Sequence, residues 1–150
     1  MKIRKLKAGE SLPLELLLEA DPSERLVLAY CRDGHCFIAE QQQVIIGVFV
    51  LLALDDETVE IKNIALAEKQ RGKGLGKALV LAALDEARKL DFQSVEIGTG
   101  NSSFSQLTLY QKCGFRMKSI ERDFFVRHYD GPIFENGLPC RDMVRLDYEL

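Results

Sequence analysis

Apolar positions along the chain follow two rhythms, and the change from one to the other divides it into elements. Lys2 to Lys7 sets Ile3 between polar neighbours and stops before Gly9, which predicts a short edge strand. From Leu12 the spacing lengthens to Leu14, Leu17 and Leu18, one face of a helix that Ser11 can cap. Asp21-Pro22-Ser23-Glu24 combines a capping acid, a proline for the first helical position and a capping-box glutamate, predicting a second helix from about Pro22 to Tyr30. Cys36 to Glu40 and Val44 to Leu54 are β-branched and apolar runs joined through Gln41 to Gln43, and Thr58 to Leu66 follows the turn at Asp55 to Glu57. Together they form an antiparallel meander.

The period then returns to that of a helix. Leu75, Ala78, Leu79, Ala82, Ala83, Ala87 and Leu90 form one stripe, with Lys77, Asp85, Arg88 and Lys89 mostly off it. Ser94 to Thr99 is a strand reached from Thr58–Leu66 through that helix, so the two pair in parallel. Gly100 to Ser103 leads into a helix from about Phe104 to Lys112, which Gly114 ends. The tail reads as strands at Phe115 to Glu121 and Asp142 to Glu149. Asp123 to Tyr129 lies between them, followed by a long loop from Asp130 to Arg141. The order is β-α-α-β-β-β-α-β-α-β-β: an α/β (α+β) fold whose mixed, mostly antiparallel sheet is flanked by helices.

Composition narrows the setting. A chain of 150 residues, 47% of them hydrophobic, suits one domain spanning 1–150. A net charge of -3 gives no footprint for nucleic acid. The longest apolar run, Val44 to Leu54, is interrupted by Gly47 and ends at two aspartates, too short for a membrane span, and no signal peptide follows the basic N-terminus. Four cysteines and two histidines show no metal-ligand spacing, so the thiols are expected reduced, no metal is expected, and the protein is expected in the cytoplasm.

The chemistry concentrates where strand period gives way to helix period, at Arg71-Gly72-Lys73-Gly74-Leu75-Gly76-Lys77-Ala78. A strand, a glycine-rich turn and a helix N-terminus gather backbone N–H groups and positive potential, which suits phosphate. A Walker loop would need glycine at Arg71 and Ser or Thr at Ala78. A dinucleotide fingerprint would need glycine at Lys77, or Gly or Ala at Leu79. What remains is Arg-x-x-Gly-x-Gly on Arg71, Gly74 and Gly76. With Tyr110-x-x-x-Gly114-Phe115 at the end of the helix after the fifth strand, this resembles the GCN5-related N-acetyltransferases over nearly the whole chain.

The resemblance implies acetyl-CoA as acetyl donor and an amine, small-molecule or peptide, as acceptor. It implies that Ile64, Ala65 and Leu66 line the pantetheine, and that the amides from Gly72 through Leu75 and Gly76 to Lys77 hold the pyrophosphate with charge from Arg71 and Lys73. Glu60, eleven positions before Arg71, matches the position of the family's base, with Glu96 the next candidate, and Tyr110 matches the tyrosine beside the CoA sulfur. Many members place asparagine seven residues before that tyrosine. Here Ser103 stands at that position and Asn101 lies nine before, so either is a candidate cofactor contact. Acceptor selection falls to the two N-terminal helices and the tail, where His128, Tyr129, Asp130, Phe134 and Glu135 suit a cationic amine. A possible homodimer also follows from the resemblance. The alternative from another class is a module that senses acetyl-CoA without transferring the acetyl group.

Overall fold

The computed structural model describes residues 1–150. Its elements run β1 (Lys2–Lys5), α1 (Leu14–Ala20), α2 (Glu24–Asp33), β2 (His35–Gln41), β3 (Val44–Ala53), β4 (Thr58–Leu66), α3 (Leu75–Lys89), β5 (Ser94–Gly100) and α4 (Phe104–Lys112). They continue with β6 (Arg116–Glu121), α5 (Phe124–His128), β7 (Phe134–Glu135), β8 (Leu138–Pro139) and β9 (Met143–Glu149). Seven strands form one sheet in the order β1-β2-β3-β4-β5-β9-β6, and β7 pairs with β8 apart from it. Only β4 and β5 pair in parallel, and α3 makes the crossover that joins them. No helix is long and apolar enough to cross a membrane.

The central strands are buried on both faces, which is why they read as continuous apolar runs. Along β3, Ile46, Phe49 and Leu51 pack toward α3 and α4, while Val48 and Val50 pack toward α1 and α2. The first face joins Leu79, Val80, Ala83, Leu84 and Ala87 of α3 to Val59 and Ile61. The helical stripe is therefore rotated slightly from the one the alanines suggest, with Val80 and Leu84 inside. The second face is smaller, built on Leu17, Val27 and Tyr30.

One irregularity shapes the functional half. On β3, Val50 pairs with Asn63 and the next residue, Leu51, pairs with Ile61, so Lys62 is an extra residue on β4. Such a bulge bends its strand and increases local twist. Pairing of β4 with β5 ends at Ile61, immediately before it, and from there the strands separate, β4 running on to Leu66 and β5 to Gly100. A cleft opens between them.

Three local expectations are corrected. Helix α1 begins at Leu14, capped by Pro13 with no side-chain hydrogen bond, rather than at Leu12 under Ser11. Helix α2 is capped by Ser23, whose side-chain oxygen accepts from the Leu26 amide at 3.3 Å, so the helix starts after Pro22 and Asp21 is free for another task. The tail holds more structure than a loop: α5 forms at Phe124–His128, and the Asn136-Gly137 pair, with φ of 54° and 75°, turns the β7–β8 hairpin.

Candidate active site

The glycine loop leaves β4 through a short 3-10 turn at Glu68–Gln70 and enters α3 at Leu75. Gly72 and Gly74 both have φ of 79°, a conformation that costs an L-residue about 1–2 kcal/mol. Nothing stands within 4 Å of where a Cβ would sit on either glycine, so the space beside the backbone is open. None of the amides from Gly72 to Lys77 donates a hydrogen bond within the chain; the first helical amide to do so is Ala78, to the Gly74 carbonyl at 3.3 Å. A row of free N–H groups at the N-terminus of a helix running from Leu75 to Lys89 fits a pyrophosphate by charge and by hydrogen-bonding capacity.

Arg71 donates to the Leu66 carbonyl at 3.2 Å and to Glu19 at 3.1 Å, which stakes the loop to β4 and to α1. The Arg71–Glu19 pair is half exposed and contributes little by itself. Lys73 and Lys77 are exposed, and Leu75 is partly buried against the core. Ile64, Ala65 and Leu66 line a cavity of about 550 Å³ together with Arg71, Gly76 and Tyr110.

A second cavity, of about 460 Å³, adjoins the first and shares Ile64, Gln106 and Glu135 with it. Tyr110 borders both. Its ring is tilted against Phe115 with centroids 6.2 Å apart, and the residue is 5% exposed. Burial, with the neighbouring Cys113, pushes the phenol above its ordinary value of 10.0, so it stays protonated at neutral pH. The hydroxyl makes no hydrogen bond within the chain, which leaves it free for a ligand at the junction of the two cavities.

Glu60 reaches the second cavity from β4 and is 5% exposed. Arg145 of β9 donates to its Oε2 at 3.1 Å and to Glu121 Oε1 at 2.6 Å, while Lys62 lies 4.0 Å from Oε1. Burial disfavours the Arg145 charge, but the Glu121 hydrogen bond and the nearby Glu60 outweigh it and hold that pKa above the ordinary value. Glu60 is thus held by Arg145 at Oε2, with the Lys62 ammonium near Oε1, on the wall of the second cavity. Glu96, the other carboxylate considered, is paired with Lys118 at 2.7 Å and does not line either cavity.

The loop between β5 and α4 serves the tail. Asn101 donates to the Pro139 carbonyl at 3.1 Å and accepts from the amides of Arg141 and Asp142 at 2.8 and 3.0 Å. Ser103 donates to Glu135 at 2.7 Å, and Asn136 donates to the Ser102 carbonyl at 2.8 Å. These bonds stitch the β7–β8 hairpin over the cleft. Asn101 lines neither cavity, whereas Ser103 lines the second.

Of the tail residues expected at the acceptor site, Tyr129 and Glu135 line the second cavity, and His128, Asp130 and Phe134 do not; His128 instead packs on Phe124, with ring centroids 4.5 Å apart. Phe124 and Phe125 line it as well. Sequence reasoning missed Asp21, Lys62, Asn63 and Arg145. The available hint of the bulge was the polar Lys62-Asn63 pair, which interrupts the alternation between Ile61 and Ile64.

Known proteins share this sequence pattern and this fold. The model of the acetyltransferase (GNAT) family fits residues 8–115. The uncharacterized N-acetyltransferase YvbK of Bacillus subtilis (strain 168) is 55% identical over 136 residues, 91% of this chain and 88% of that one. A GNAT family acetyltransferase from Elizabethkingia anophelis, solved with acetyl-CoA bound, superposes with a TM-score of 0.97 at 45% identity over 99% of this chain and 97% of that one. A Bacillus subtilis acetyltransferase solved with CoA superposes with a TM-score of 0.93 at 51% identity, covering 99% and 98% of the two chains. A loop of free amides, a tyrosine at the junction of two cavities and relatives this similar along nearly the full length place the chain in the GNAT family, as an acetyl-CoA-dependent N-acetyltransferase.

Proposed function

We propose that this chain, as one domain over residues 1–150, carries the acetyl group directly to an amine held in the 460 Å³ cavity, with donor and acceptor bound together. The observation that carries the reading is the position of Tyr110, whose protonated and unpaired hydroxyl borders both the cavity beside the glycine loop and the one beside Glu60. Acetyl-CoA brings an activated thioester, and the chain's residues supply position and protons. The free amides of Gly72 to Lys77 hold the pyrophosphate, with Arg71 and Lys73 adding charge. Ile64, Ala65 and Leu66 line the path between loop and junction.

At the junction the acceptor nitrogen bonds to the acetyl carbon as the carbon–sulfur bond breaks. Glu60 Oε1 takes the proton that the nitrogen gives up, and Tyr110 donates one to the departing sulfur. Ser103 reaches the wall of this site through its bond to Glu135; Asn101, with its hydrogen bonds spent on the tail, is the weaker candidate for a cofactor contact. Covalent relay through cysteine has little support, since Cys113 and Cys140 are buried and burial raises both thiols.

Two wider features go with the reading. A cytoplasmic setting is supported by four unpaired thiols, and a homodimer by the exposed Met117 and Ile120 on the edge strand β6. The test is thiol release from acetyl-CoA across a panel of amines, repeated with Tyr110→Phe. Turnover should fall about 100-fold or more in the variant while acetyl-CoA affinity holds. Equal turnover would take Tyr110 out of the mechanism.

A further inference from the structure

The acceptor cavity contains a carboxylate for which acetyl transfer has no use. Asp21, at the C-terminal end of α1, is 9% exposed and lines the same cavity as Glu60 and Tyr110. Its Oδ1 accepts from the Ser23 amide at 3.1 Å and the Tyr129 hydroxyl at 2.9 Å, and its Oδ2 accepts from the Tyr30 hydroxyl at 3.0 Å. All three donors are neutral. Other acids on the wall are matched or wet: Glu19 has Arg71, Glu60 has Arg145, and Glu135 is only half-buried. Lys62, the cation on this wall, is held over the Tyr30 ring at 5.9 Å and beside Glu60 at 4.0 Å, and forms no ion pair with Asp21.

The network that ends on Asp21 is also open at its other end. Asn63, 4% exposed, spends its amide hydrogens on the Leu17 carbonyl and the Tyr30 hydroxyl, both at 2.9 Å. Its Oδ1 is buried without a donor, and the residue is part of the same cavity lining. A buried acceptor left unpaired is destabilising, and a buried charge without a counter-charge is more so. An anion with no counter-charge on the cavity wall asks for a cationic N–H donor. The reacting nitrogen cannot serve, because it must be neutral to attack. Phe124, Phe125 and Tyr129 supply aromatic walls suited to an alkyl chain and to a cation.

We infer that the acceptor carries a second basic nitrogen, and that Asp21 holds it as an ammonium while the first nitrogen reaches Tyr110. The substrate class is an alkyl diamine or a longer amine of that kind. This rests on the acetyl-transfer reading above. Only the reacting nitrogen loses a proton; the second keeps its charge throughout.

The experiment compares kcat/KM for linear diamines and for n-alkylamines of equal carbon number, by thiol release. Diamines should be favoured about 10- to 100-fold, chiefly through KM. Asp21→Asn keeps the shape and an acceptor oxygen but removes the charge, and should shrink that advantage to about 3-fold or less. Glu135→Gln should preserve it. Acetyl-CoA affinity of each variant, by calorimetry, checks that the fold stands. Should Asp21→Asn fail that check, amino alcohols of equal length test the wild type: with an uncharged terminus they should behave as monoamines. Equal kcat/KM for diamines and monoamines, an advantage that survives Asp21→Asn, or one lost instead in Glu135→Gln overturns the inference and leaves acetyl transfer standing. Absence of thiol release with every amine removes both.

Discussion

The two cavities that meet at Tyr110 are built from different materials. On the glycine-loop side the proposed recognition groups are backbone amides, Gly72 to Lys77, held by a helix terminus and two left-handed glycines. On the other side they are side chains, Asp21, Tyr30, Asn63 and Tyr129, drawn from four segments and held by one another. Amides are the same whatever the residue, so the first site depends on conformation and tolerates changes of side chain. The second depends on identity at each position.

The difference can be broken or sharpened by mutation. Glu60→Gln removes the proposed proton acceptor from the side-chain half and should lower turnover about 100-fold with acetyl-CoA affinity unchanged; an unchanged kcat would move proton removal elsewhere. Asn101→Ala removes three bonds that fasten the tail hairpin and should cost about 1–3 kcal/mol in denaturant unfolding, with acetyl-CoA affinity unaffected. A tenfold loss of affinity at intact stability would instead make Asn101 part of the cofactor site. Gly74→Val forces a branched residue into φ of 79° and should weaken acetyl-CoA binding about 5- to 30-fold, the equivalent of about 1–2 kcal/mol, while leaving acceptor KM near its starting value.

The smallest effect is a pH response. Tyr30, Tyr110 and Tyr129 all have phenols pushed above the ordinary value of 10.0, chiefly by burial. The folded chain therefore keeps protons that the unfolded chain releases above pH 10, so their contribution is intact below that pH and stability declines as pH rises beyond it. Two of the three tyrosines belong to the acceptor network and none to the amide row, so the loss falls on the side-chain half. Denaturant midpoints at about pH 9 and about pH 11 test this, and equal midpoints would contradict it.

What could be read from the sequence divides along the same line. The glycine loop was legible because its function depends on local spacing, Arg71 to Gly76, and the sheet was legible because burial on both faces leaves long apolar runs. Asp21 was not. Two adjacent capping signals, Asp21 and Ser23, satisfy the same local rule, and the choice was settled by Tyr129, 108 positions away. Arg145, the partner of Glu60, lies 85 positions from it, and no pattern in either strand announces the pair. Asn101 and Ser103 could not be separated because their partners stand in a tail whose hairpin is only two residues to a strand. The Asn136-Gly137 turn signal was present, but its flanks were too short to support it.

The bulge at Lys62 has a consequence best put in terms of insertion and deletion. Glu60 and Asn63 face α1 and α2, and Ile61 and Ile64 face α3. Removing Lys62 would leave each of them on its present face and let β4 pair with β3 without interruption. Without that residue the strand alternates with strict period two; with it, Ile61 and Ile64 share a face three positions apart. A single codon, gained or lost, would separate a strand that closes against its neighbour from one that parts to admit a substrate, with no change to the core on either side.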